Sequence, residues 1–362
     1  MGAHVLSRIS HEPYVTVEVL TSARSIMLTV DDVVQETADA ITIIFAKPDD
    51  DRFTHRPGQF LTLRVPTDRT TAVARCYSLC STPDDDRLAV TVKRTSDGYA
   101  SNWLCDNVSA GSHLEALPPS GAFVPTSLND DLLLIDGGSG ITPLMSILRT
   151  TLEAGSGRVV LIYANHDPTS VIFAQALREL MARHPDRLTV LHWLNALQGV
   201  PTVTTLSTVL RPYAALPAFV CGPAPFMETA RTALAGLGVP CDRIHIERFQ
   251  SLSGDPFADH EIDLAGAAAT DDDPADLTVT LDGATHHLEW PRSLTLIDLL
   301  VANDIEAPYS CREGECGSCV CIVVDGTVKM ARSDTLDPAD IADGYILGCQ
   351  SRPTSDLLVI EF

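Results

Sequence analysis

Short stretches in which apolar and polar residues alternate fill the chain up to about Pro125, and turn-rich segments separate them. Alternation places every second side chain on the same face of an extended chain, so these stretches predict half-buried β-strands. Several short strands interrupted by Pro, Gly and Asp are typical of an antiparallel barrel or sandwich. The clearest examples are ITIIFA, QFLTLRV and LAVTVKR.

From Asp131 the pattern changes to continuous apolar runs that are separated by segments of helical periodicity. A run without alternation is typical of a strand that is buried on both faces. Strands and helices in alternation therefore predict a parallel sheet covered by helices on both sides. The apolar runs are LLLID, RVVLIYAN, RLTVLHWL, AFVCG and RIHIERF.

Residues 251–276 have no sustained period and are rich in Ala, Asp, Gly and Pro, which predicts an exposed linker. A compact segment follows, which opens with a strand, a turn and a strand in LTVTLDGATHHLEW. We therefore expect a multidomain protein with an antiparallel β-barrel at 26–127, an α/β parallel-sheet domain at 128–250 and an α+β domain at 277–362. Residues 1–25 match no recognisable pattern, and we expect a disordered extension there.

Composition is typical of a globular protein. The chain has 362 residues, of which 45% are hydrophobic, and a mean hydropathy of +0.11. No apolar run approaches the roughly 18 residues that span a bilayer, and the first residues mix His, Glu and Arg with apolar side chains, so we expect neither a membrane anchor nor a signal peptide. A monomer in the cytoplasm, where thiols stay reduced, is the expectation.

Acidic residues are concentrated toward the C-terminus. Residues 251–362 contain 22 Asp and Glu against 5 Lys and Arg, a net charge of −17 out of −23 for the whole chain. Such a surface repels phosphate backbones, so nucleic acid is not an expected partner. It favours docking to a basic protein surface, although acidic residues that only keep a small domain soluble would give the same composition.

Four cysteines lie within the stretch CREGECGSCVC, and another follows at Cys349. The spacing Cys311-x4-Cys316-x2-Cys319, followed by 29 residues and Cys349, is typical of plant-type [2Fe-2S] sites. Glycines within the loop strengthen this interpretation, because a loop around a cluster needs permissive backbone angles and N–H groups directed at the sulfurs. Structural zinc is the alternative, although zinc sites usually combine two separated C-x2-C pairs.

The remaining cysteines fall outside this spacing. We expect Cys321 to be a buried structural thiol and most of the scattered cysteines, at positions 76, 80, 105, 221 and 241, to be small core residues.

Two short motifs before residue 127 fit the binding of phosphate and of a flat heterocycle. In ARCYSLCS, Arg75 can clamp phosphate, Tyr77 can stack on a ring system and Ser78 can bond its edge. In VKRTSDGYASNWL, Gly98 and Ser101 lie at the start of a predicted helix, where the helix dipole favours a pyrophosphate. An ordinary strand and an ordinary capped helix remain the alternatives.

A glycine-rich turn joins strand and helix in LLLIDGGSGITPLMSIL. Gly137, Gly138 and Gly140 allow the backbone to approach a dinucleotide diphosphate, and Thr142 and Pro143 open the helix. The stretch lacks the pattern G-x-G-x-x-G, so it is only moderately specific.

A second turn, in FVCGPAPFM, lies on the same edge of the predicted sheet. Cys221, Gly222 and Pro223 follow a strand there, at the carboxyl edge where ligands of doubly wound sheets bind. A small buried residue before a turn is the alternative for Cys221.

In this order, the motifs resemble the ferredoxin-NADP reductase superfamily with a plant-type ferredoxin domain at the C-terminus, over nearly the whole chain after about residue 28. The stretches ARCYSLCS, SVIFAQALREL and SCREGECGSC are similar, more narrowly, to reductases that supply Rieske-type oxygenases in sterol-ring degradation. The resemblance implies an FAD-binding barrel at 26–127, an NAD-binding domain at 128–250 and a β-grasp [2Fe-2S] domain at 277–362.

The resemblance also implies roles for the motifs. The R-x-Y-S residues would hold the flavin, with Ser78 at its reactive edge. The G-x-x-S turn would bind the pyrophosphate of the flavin, and Lys93, in the same stretch, would also bind the cofactor. The glycine-rich turn and C-G-P would bind the nicotinamide dinucleotide, with Cys221 beside the nicotinamide and Phe249 near the flavin. Glu247 could polarise this site, although a surface Glu at a strand end is the alternative.

The implied reaction passes electrons from NADH through FAD and a [2Fe-2S] cluster to a Rieske-type oxygenase. NADH is favoured because His166 and Asp167 stand where relatives that use NADPH often carry Arg, and FAD is favoured over FMN because the G-x-x-S turn would serve an adenosine diphosphate. The alternatives are a reductase for a phenylacetyl-CoA or aromatic-ring oxygenase or a desaturase, an electron carrier with inactive N-terminal domains, and a zinc-stabilised interaction protein.

Overall fold

The structure, a computed structural model, describes residues 25–67, 72–258, 262, 264–270, 273–281, 283–333, 335, 336 and 338–362. Its first part, the N-terminal barrel, is an antiparallel sheet of six strands in the order β4-β3-β6-β1-β2-β5 with one helix. The elements are β1 Ile26–Thr37, β2 Ala40–Ala46, β3 Phe60–Val65, β4 Val73–Ser78, β5 Arg87–Lys93, α1 Tyr99–Asn107 and β6 His113–Ser120.

A bridge between Leu79 and Val90 brings the two outer strands together and curls the sheet into a barrel. Alternate residues of the strands, such as Ile43 and Phe45, are fully buried in its core, which is the reason for the alternation seen in the sequence. The predicted antiparallel barrel is therefore confirmed.

The expected N-terminal extension lies almost entirely outside the described residues. Its last member, Ser25, is buried and donates a hydrogen bond of 2.6 Å to the carboxylate of Glu115 in β6. Including Ser25 in a disordered extension was therefore wrong, because its hydroxyl is bound to the barrel.

The second part, the parallel-sheet domain, has five parallel strands in the order β11-β10-β7-β8-β9. Leu132 and Leu134 pack on one side of the sheet, while Leu133 and Ile135 pack on the other, so the run LLLID is buried on both faces as predicted. The elements are β7 Leu132–Gly137, α2 Ile141–Ala154, β8 Val159–Asn165, α3 Ala174–Arg183, β9 Leu188–Leu194, α4 Asn195–Gln198, α5 Val203–Leu210, β10 Ala218–Cys221, α6 Ala224–Gly236 and β11 Ile244–Glu247.

Two helices of this domain, the four-residue α4 and the longer α5, were not predicted from the sequence. Helix α5 is rich in Val and Thr, which have low helix propensity, and it is started by a capping box between Thr202 and Thr205 and held by the burial of Leu206 and Leu210. Tertiary packing therefore outweighs local preference here.

The described residues of the third part, the C-terminal domain, form a mixed sheet in the order β13-β12-β18-β14-β16, a small sheet β15-β17 and three short helices. Helix α8 packs Leu296, Leu299 and Leu300 against Trp290, and the predicted α+β domain is confirmed. The elements are α7 Leu264–Thr270, β12 Ala275–Leu281, β13 Ala284–Trp290, α8 Leu296–Ala302, β14 Val320–Asp325, β15 Val328–Met330, α9 Pro338–Ala342, β16 Tyr345–Leu347, β17 Ser351–Pro353 and β18 Leu357–Glu361.

The segment that joins the last two domains is buried at its start. The exposed linker expected at residues 251–276 is therefore wrong for that part. Leu252 and Phe257 are 6% and 3% exposed and pack against the barrel residues Ala74 and Leu117. Their burial fixes the chain between the domains on the surface of the N-terminal barrel. None of the described helices is both long enough and apolar enough to cross a membrane.

Candidate functional site

Residues of all three domains line one small cavity that is partly open to solvent. The N-terminal barrel contributes Phe60, Cys76 and Ser78, the parallel-sheet domain and the chain after it contribute residues 247–250, and the C-terminal domain contributes Glu315 and Cys316. Residues far apart in sequence, from a flavin-type motif and from a cysteine-rich loop, therefore line the same space.

Strand β4 carries the R-x-Y-S motif and determines which of its side chains face the cavity. Side chains alternate along a strand, so Cys76 and Ser78 share one face while Arg75 and Tyr77 lie on the opposite face. Ser78 is 5% exposed and lines the cavity, whereas Tyr77 packs against the barrel core and Arg75 donates hydrogen bonds to the carbonyls of Ala74 and Leu252.

Glu247 and Phe249, which end β11 and follow it, both line the cavity. Burial raises the pKa of Glu247 to about 8, an effect that the charge of Arg248 partly offsets. The carboxyl group is therefore largely protonated at neutral pH and can donate a hydrogen bond. Phe249 is 49% exposed, so its ring can move without disturbing a packed core.

The second predicted flavin motif is at the N-terminus of α1. Ser101 accepts a hydrogen bond of 3.1 Å from the backbone N–H of Thr95, and a side chain at Gly98 would lie 2.9 Å from the Ser101 hydroxyl. The turn is thus built for glycine at that position. Lys93 forms an ion pair of 3.6 Å with Asp39 and is not among the described residues that line the cavity.

The two turns predicted for dinucleotide binding touch each other at the carboxyl edge of the parallel sheet. A side chain at Gly140 would lie 2.5 Å from the carbonyl carbon of Cys221, and one at Gly222 would lie 2.9 Å from the backbone nitrogen of Gly137. Only glycine lets the backbones approach this closely. Thr142 and Pro143 lie in the first turn of α2, as the sequence predicted, and Pro223 immediately precedes α6.

Cys221 itself is fully buried and is not among the described residues on the cavity wall, although its strand partner Glu247 is. Burial raises the pKa of Cys221 well above its usual value, with smaller contributions from Glu247 and Asp136, so its thiol stays protonated.

Asp136 is a polar residue that sequence analysis did not single out. It lies beside Cys221 in the strand register, is fully buried, and neither of its carboxyl oxygens has a hydrogen-bond partner among the described residues. Burial raises its pKa well above the usual value, so the group is held neutral beneath the glycine-rich turn. An Asp inside the apolar run LLLID was the available signal.

The cysteine-rich loop has the backbone geometry that the sequence predicted. Gly314 and Gly317 have φ values of +75° and +69°, which L side chains rarely adopt. The backbone N–H of Glu313 points at the Cys311 sulfur at 3.4 Å, and that of Cys349 points at the Cys319 sulfur at 3.4 Å. These amides stabilise negative charge on the sulfurs.

The four predicted ligands form two pairs. The Cys311 thiol donates to Cys316, which raises the pKa of Cys311 and lowers the pKa of Cys316, and Cys319 and Cys349 are related in the same way. Among the described residues no three candidate ligands surround a single ion position. Two pairs of cysteines fit a [2Fe-2S] cluster, in which each of the two irons takes two cysteine ligands once the thiols have lost their protons.

Two cysteines outside the predicted ligand set, Cys321 and Cys76, lie in different surroundings. Cys321 is buried on β14, as predicted. Cys76, expected to be an ordinary core residue, instead packs with the predicted ligands Cys311 and Cys316. Strand alternation within ARCYSLCS could have indicated that it faces away from Tyr77, but not what it faces.

Comparison with known families identifies three domains in the order seen in the structure. Residues 27–124 match the oxidoreductase FAD-binding domain, residues 134–232 the oxidoreductase NAD-binding domain, and residues 279–354 the 2Fe-2S iron-sulfur cluster binding domain. FAD, a nicotinamide dinucleotide and a [2Fe-2S] cluster are therefore the cofactors of this chain.

Individual proteins are similar over almost the whole chain. The ferredoxin reductase component of 3-ketosteroid-9-alpha-monooxygenase from Rhodococcus rhodochrous is 57% identical, covering 96% of this chain and 99% of that protein. A component of the 1,2-phenylacetyl-CoA epoxidase from Escherichia coli is 31% identical, covering 92% of this chain and 97% of that protein. Phthalate dioxygenase reductase shares the fold, with a TM-score of 0.55 over 93% of this chain and 98% of that chain, at 24% identity.

Proposed function

Because this chain belongs to the family of ferredoxin reductase components represented by those of 3-ketosteroid-9-alpha-monooxygenases, we propose that it passes electrons from NADH to the Rieske-type oxygenase of such a system. The observation that carries the proposal is the cavity at which Ser78, Glu247 and the cluster ligand Cys316 meet. One space bordered by flavin, nucleotide and cluster residues is what an internal electron relay requires.

When bound, FAD accepts a hydride from NADH and returns its electrons one at a time to a [2Fe-2S] cluster, so the chemistry belongs to the cofactors and the protein supplies binding and electrostatics. Arg75, Tyr77 and Ser78 would hold the flavin, Ser78 from the cavity side of β4 and Arg75 and Tyr77 from its opposite face, and the turn from Gly98 to Ser101 would hold the pyrophosphate. The neutral carboxyl of Glu247 can donate a hydrogen bond into the cavity without adding negative charge there.

The abutting turns at Gly137–Gly140 and Cys221–Pro223 would hold the dinucleotide, because their glycines let the two backbones meet at the start of α2, where a helix N-terminus favours a diphosphate. Phe249, whose half-exposed ring lines the cavity, would lie near the flavin and could move aside for the nicotinamide. Cys311, Cys316, Cys319 and Cys349 would hold the cluster as two thiolate pairs.

We propose NADH rather than NADPH as the donor. The loop after β8 offers His166 at an exposed position, and the Asp167 carboxylate accepts hydrogen bonds from the N–H groups of Thr169 and Ser170. A carboxylate committed to its own turn, with no Arg in the loop, provides poor recognition of a 2′-phosphate.

The oxygenase partner would dock at the acidic C-terminal domain. The net charge of −17 in residues 251–362 steers a basic surface toward the domain that carries the cluster. Such a contact is transient, as electron-transfer encounters are, and is compatible with a monomeric reductase.

Reconstitution tests this proposal. The purified protein is combined with NADH and the oxygenase component of a 3-ketosteroid-9-alpha-monooxygenase, and steroid hydroxylation is measured. A parallel assay contains the oxygenase component of a phenylacetyl-CoA epoxidase. We expect turnover with the steroid oxygenase and little with the other; preferential turnover with the epoxidase would contradict the assignment of the partner.

A further inference from the structure

The outer face of strands β3 and β4 forms a buried contact with the C-terminal domain. Strand alternation and the register Thr62↔Cys76 and Arg64↔Ala74 place these four side chains on one face. The cluster ligand Cys311 and the joining residues Leu252 and Phe257 pack against this face. We call residues 62, 64, 74 and 76 the docking face.

Thr62 lies at the centre of this contact. Its hydroxyl is hydrogen-bonded to Ser310 at 3.0 Å, across 248 residues of sequence, and lies 3.5 Å from the sulfur of Cys76. Thr62 is fully buried and Ser310 is 3% exposed. One buried hydroxyl therefore contacts both Ser310, which precedes the cluster ligand Cys311, and Cys76, which lies within the R-x-Y-S motif.

Charged side chains form ion pairs and hydrogen bonds at the edge of the contact between the docking face and the C-terminal domain. Arg64 forms ion pairs of 2.9 Å with both Glu115 and Asp255, and its guanidinium lies 4.7 Å from the ring centroid of Phe257. On the cluster side, Glu315 accepts hydrogen bonds of 2.8 Å from the backbone and the hydroxyl of Ser253. These contacts tie the joining segment to both domains, whereas the Thr62 hydroxyl links the R-x-Y-S strand to the ligand loop directly.

We infer that Thr62 is a positioning residue for electron transfer from the flavin to the cluster, because its hydroxyl fastens the ligand loop to the strand that carries the flavin motif. The inference rests on the proposed electron route. The step moves one electron from reduced flavin to oxidised cluster; no bond forms or breaks, and Thr62 neither gains nor loses a proton. Distance and orientation alone set the contribution of this residue.

The test compares Thr62→Val with the wild-type holoprotein. Valine keeps the shape but leaves the Ser310 hydroxyl buried without a partner, a penalty that corresponds to a factor of about 5 to 150 in an equilibrium constant and that favours withdrawal of the ligand loop from the docking face. In anaerobic stopped-flow mixing with NADH, we expect unchanged reduction of the flavin and a flavin-to-cluster rate constant that is lower by a factor of about five or more. Thr62→Ser, which retains the hydroxyl, should restore the rate.

Thr91→Val is the matched control. Thr91 is also a buried barrel threonine, hydrogen-bonded to Thr42 at 2.7 Å and 3.5 Å from the sulfur of Cys80, but its partners belong to the barrel alone. We expect this variant to lose stability without slowing the step from flavin to cluster.

Two further measurements separate positioning from damage to the cluster. Iron content and the electron paramagnetic resonance spectrum of the chemically reduced cluster should be those of the wild type, while backbone amides of residues 309–316 should exchange hydrogen faster in Thr62→Val. Ser310→Ala removes the same hydrogen bond from the other domain, so it serves if Thr62→Val does not fold, and the double variant should be no slower than either single variant.

Equal flavin-to-cluster rates in wild type, Thr62→Val and Ser310→Ala would overturn the inference and leave the proposed function intact. Slowing by Thr91→Val to the same extent as by Thr62→Val would overturn it too. Failure of NADH to reduce the flavin of the wild-type protein would instead contradict the proposed function itself.

Discussion

Cys221 and Glu247 are register partners on the neighbouring parallel strands β10 and β11, at the carboxyl edge of the parallel sheet. The thiol is fully buried, whereas the carboxyl group lines the cavity shared by the three domains. The pair therefore places one neutral, protonated group inside the sheet and another at the site, directly beside the turns proposed to hold the dinucleotide.

The first prediction concerns the pH dependence of stability. Burial raises the pKa of Glu247 from 4.5 to about 8, so the folded state is favoured most below pH 4.5 and loses stability as the pH rises to about 8. Glu247→Gln removes this titration. The gain in stability of the variant over the wild type should increase between these pH values, by at most about 5 kcal/mol, and level off above them.

The measurement is the apparent melting temperature of both holoproteins across this pH range, with Glu306→Gln at an exposed position as control. A difference between Glu247→Gln and wild type that does not vary with pH would contradict the raised pKa.

The second prediction concerns the cluster ligands. Cys316→Ser removes one thiolate of a pair and should abolish the visible iron-sulfur absorbance and lower the iron content. Cys321→Ala, at a buried thiol only two residues beyond Cys319, should retain both, because its side chain belongs to the core of the C-terminal domain. Loss of iron in the second variant and its retention in the first would show that the ligand set is different.

The third prediction concerns the ion pairs of Arg64. Arg64→Ala leaves the carboxylate of Glu115, which is 4% exposed, without its cation. Removing one partner of a buried pair costs about 3 to 5 kcal/mol, and we expect the lower end because Arg64 is 26% exposed. Urea unfolding measures the loss. Arg52→Ala, which breaks the exposed pair with Asp50, should cost at most about 1 kcal/mol, and equal losses would contradict a special role of the docking face.

The fourth prediction concerns the choice of donor. His166→Arg places a guanidinium in the loop after β8, and charge-assisted hydrogen bonds to the 2′-phosphate should raise kcat/KM for NADPH relative to NADH by about tenfold or more. His184→Arg, at the end of α3, is the control. An unchanged ratio in His166→Arg would mean that the 2′-phosphate is bound elsewhere.

The sequence predicted the architecture well because hydrophobic periodicity reports burial directly. Alternation marked β2 and β5, where one face is in the barrel core, and continuous apolar runs marked β7 and β10, where both faces are covered. Helix α5 was not predicted because its Val and Thr residues favour strands locally. Its formation depends on a capping box and on packing against the sheet.

The site was predicted only in part. Glycine positions and cysteine spacing are local requirements, so Gly140 and the ligand loop were visible in the sequence. The contact of Thr62 with Ser310 joins residues 248 positions apart, and no local pattern encodes it. The burial of Leu252 and Phe257 was missed for the same reason, since a segment without periodicity can still pack when two domains provide its surface.

In the proposed function, electrons from NADH reach the cluster through the flavin within this one chain. An anaerobic absorbance titration of the purified holoprotein with NADH, and separately with NADPH, tests it most directly. We expect flavin and iron-sulfur bands that are both present and bleach together at low NADH, with NADPH less effective. A colourless protein that contains zinc, or a flavin band that bleaches while the iron-sulfur band persists, would contradict it.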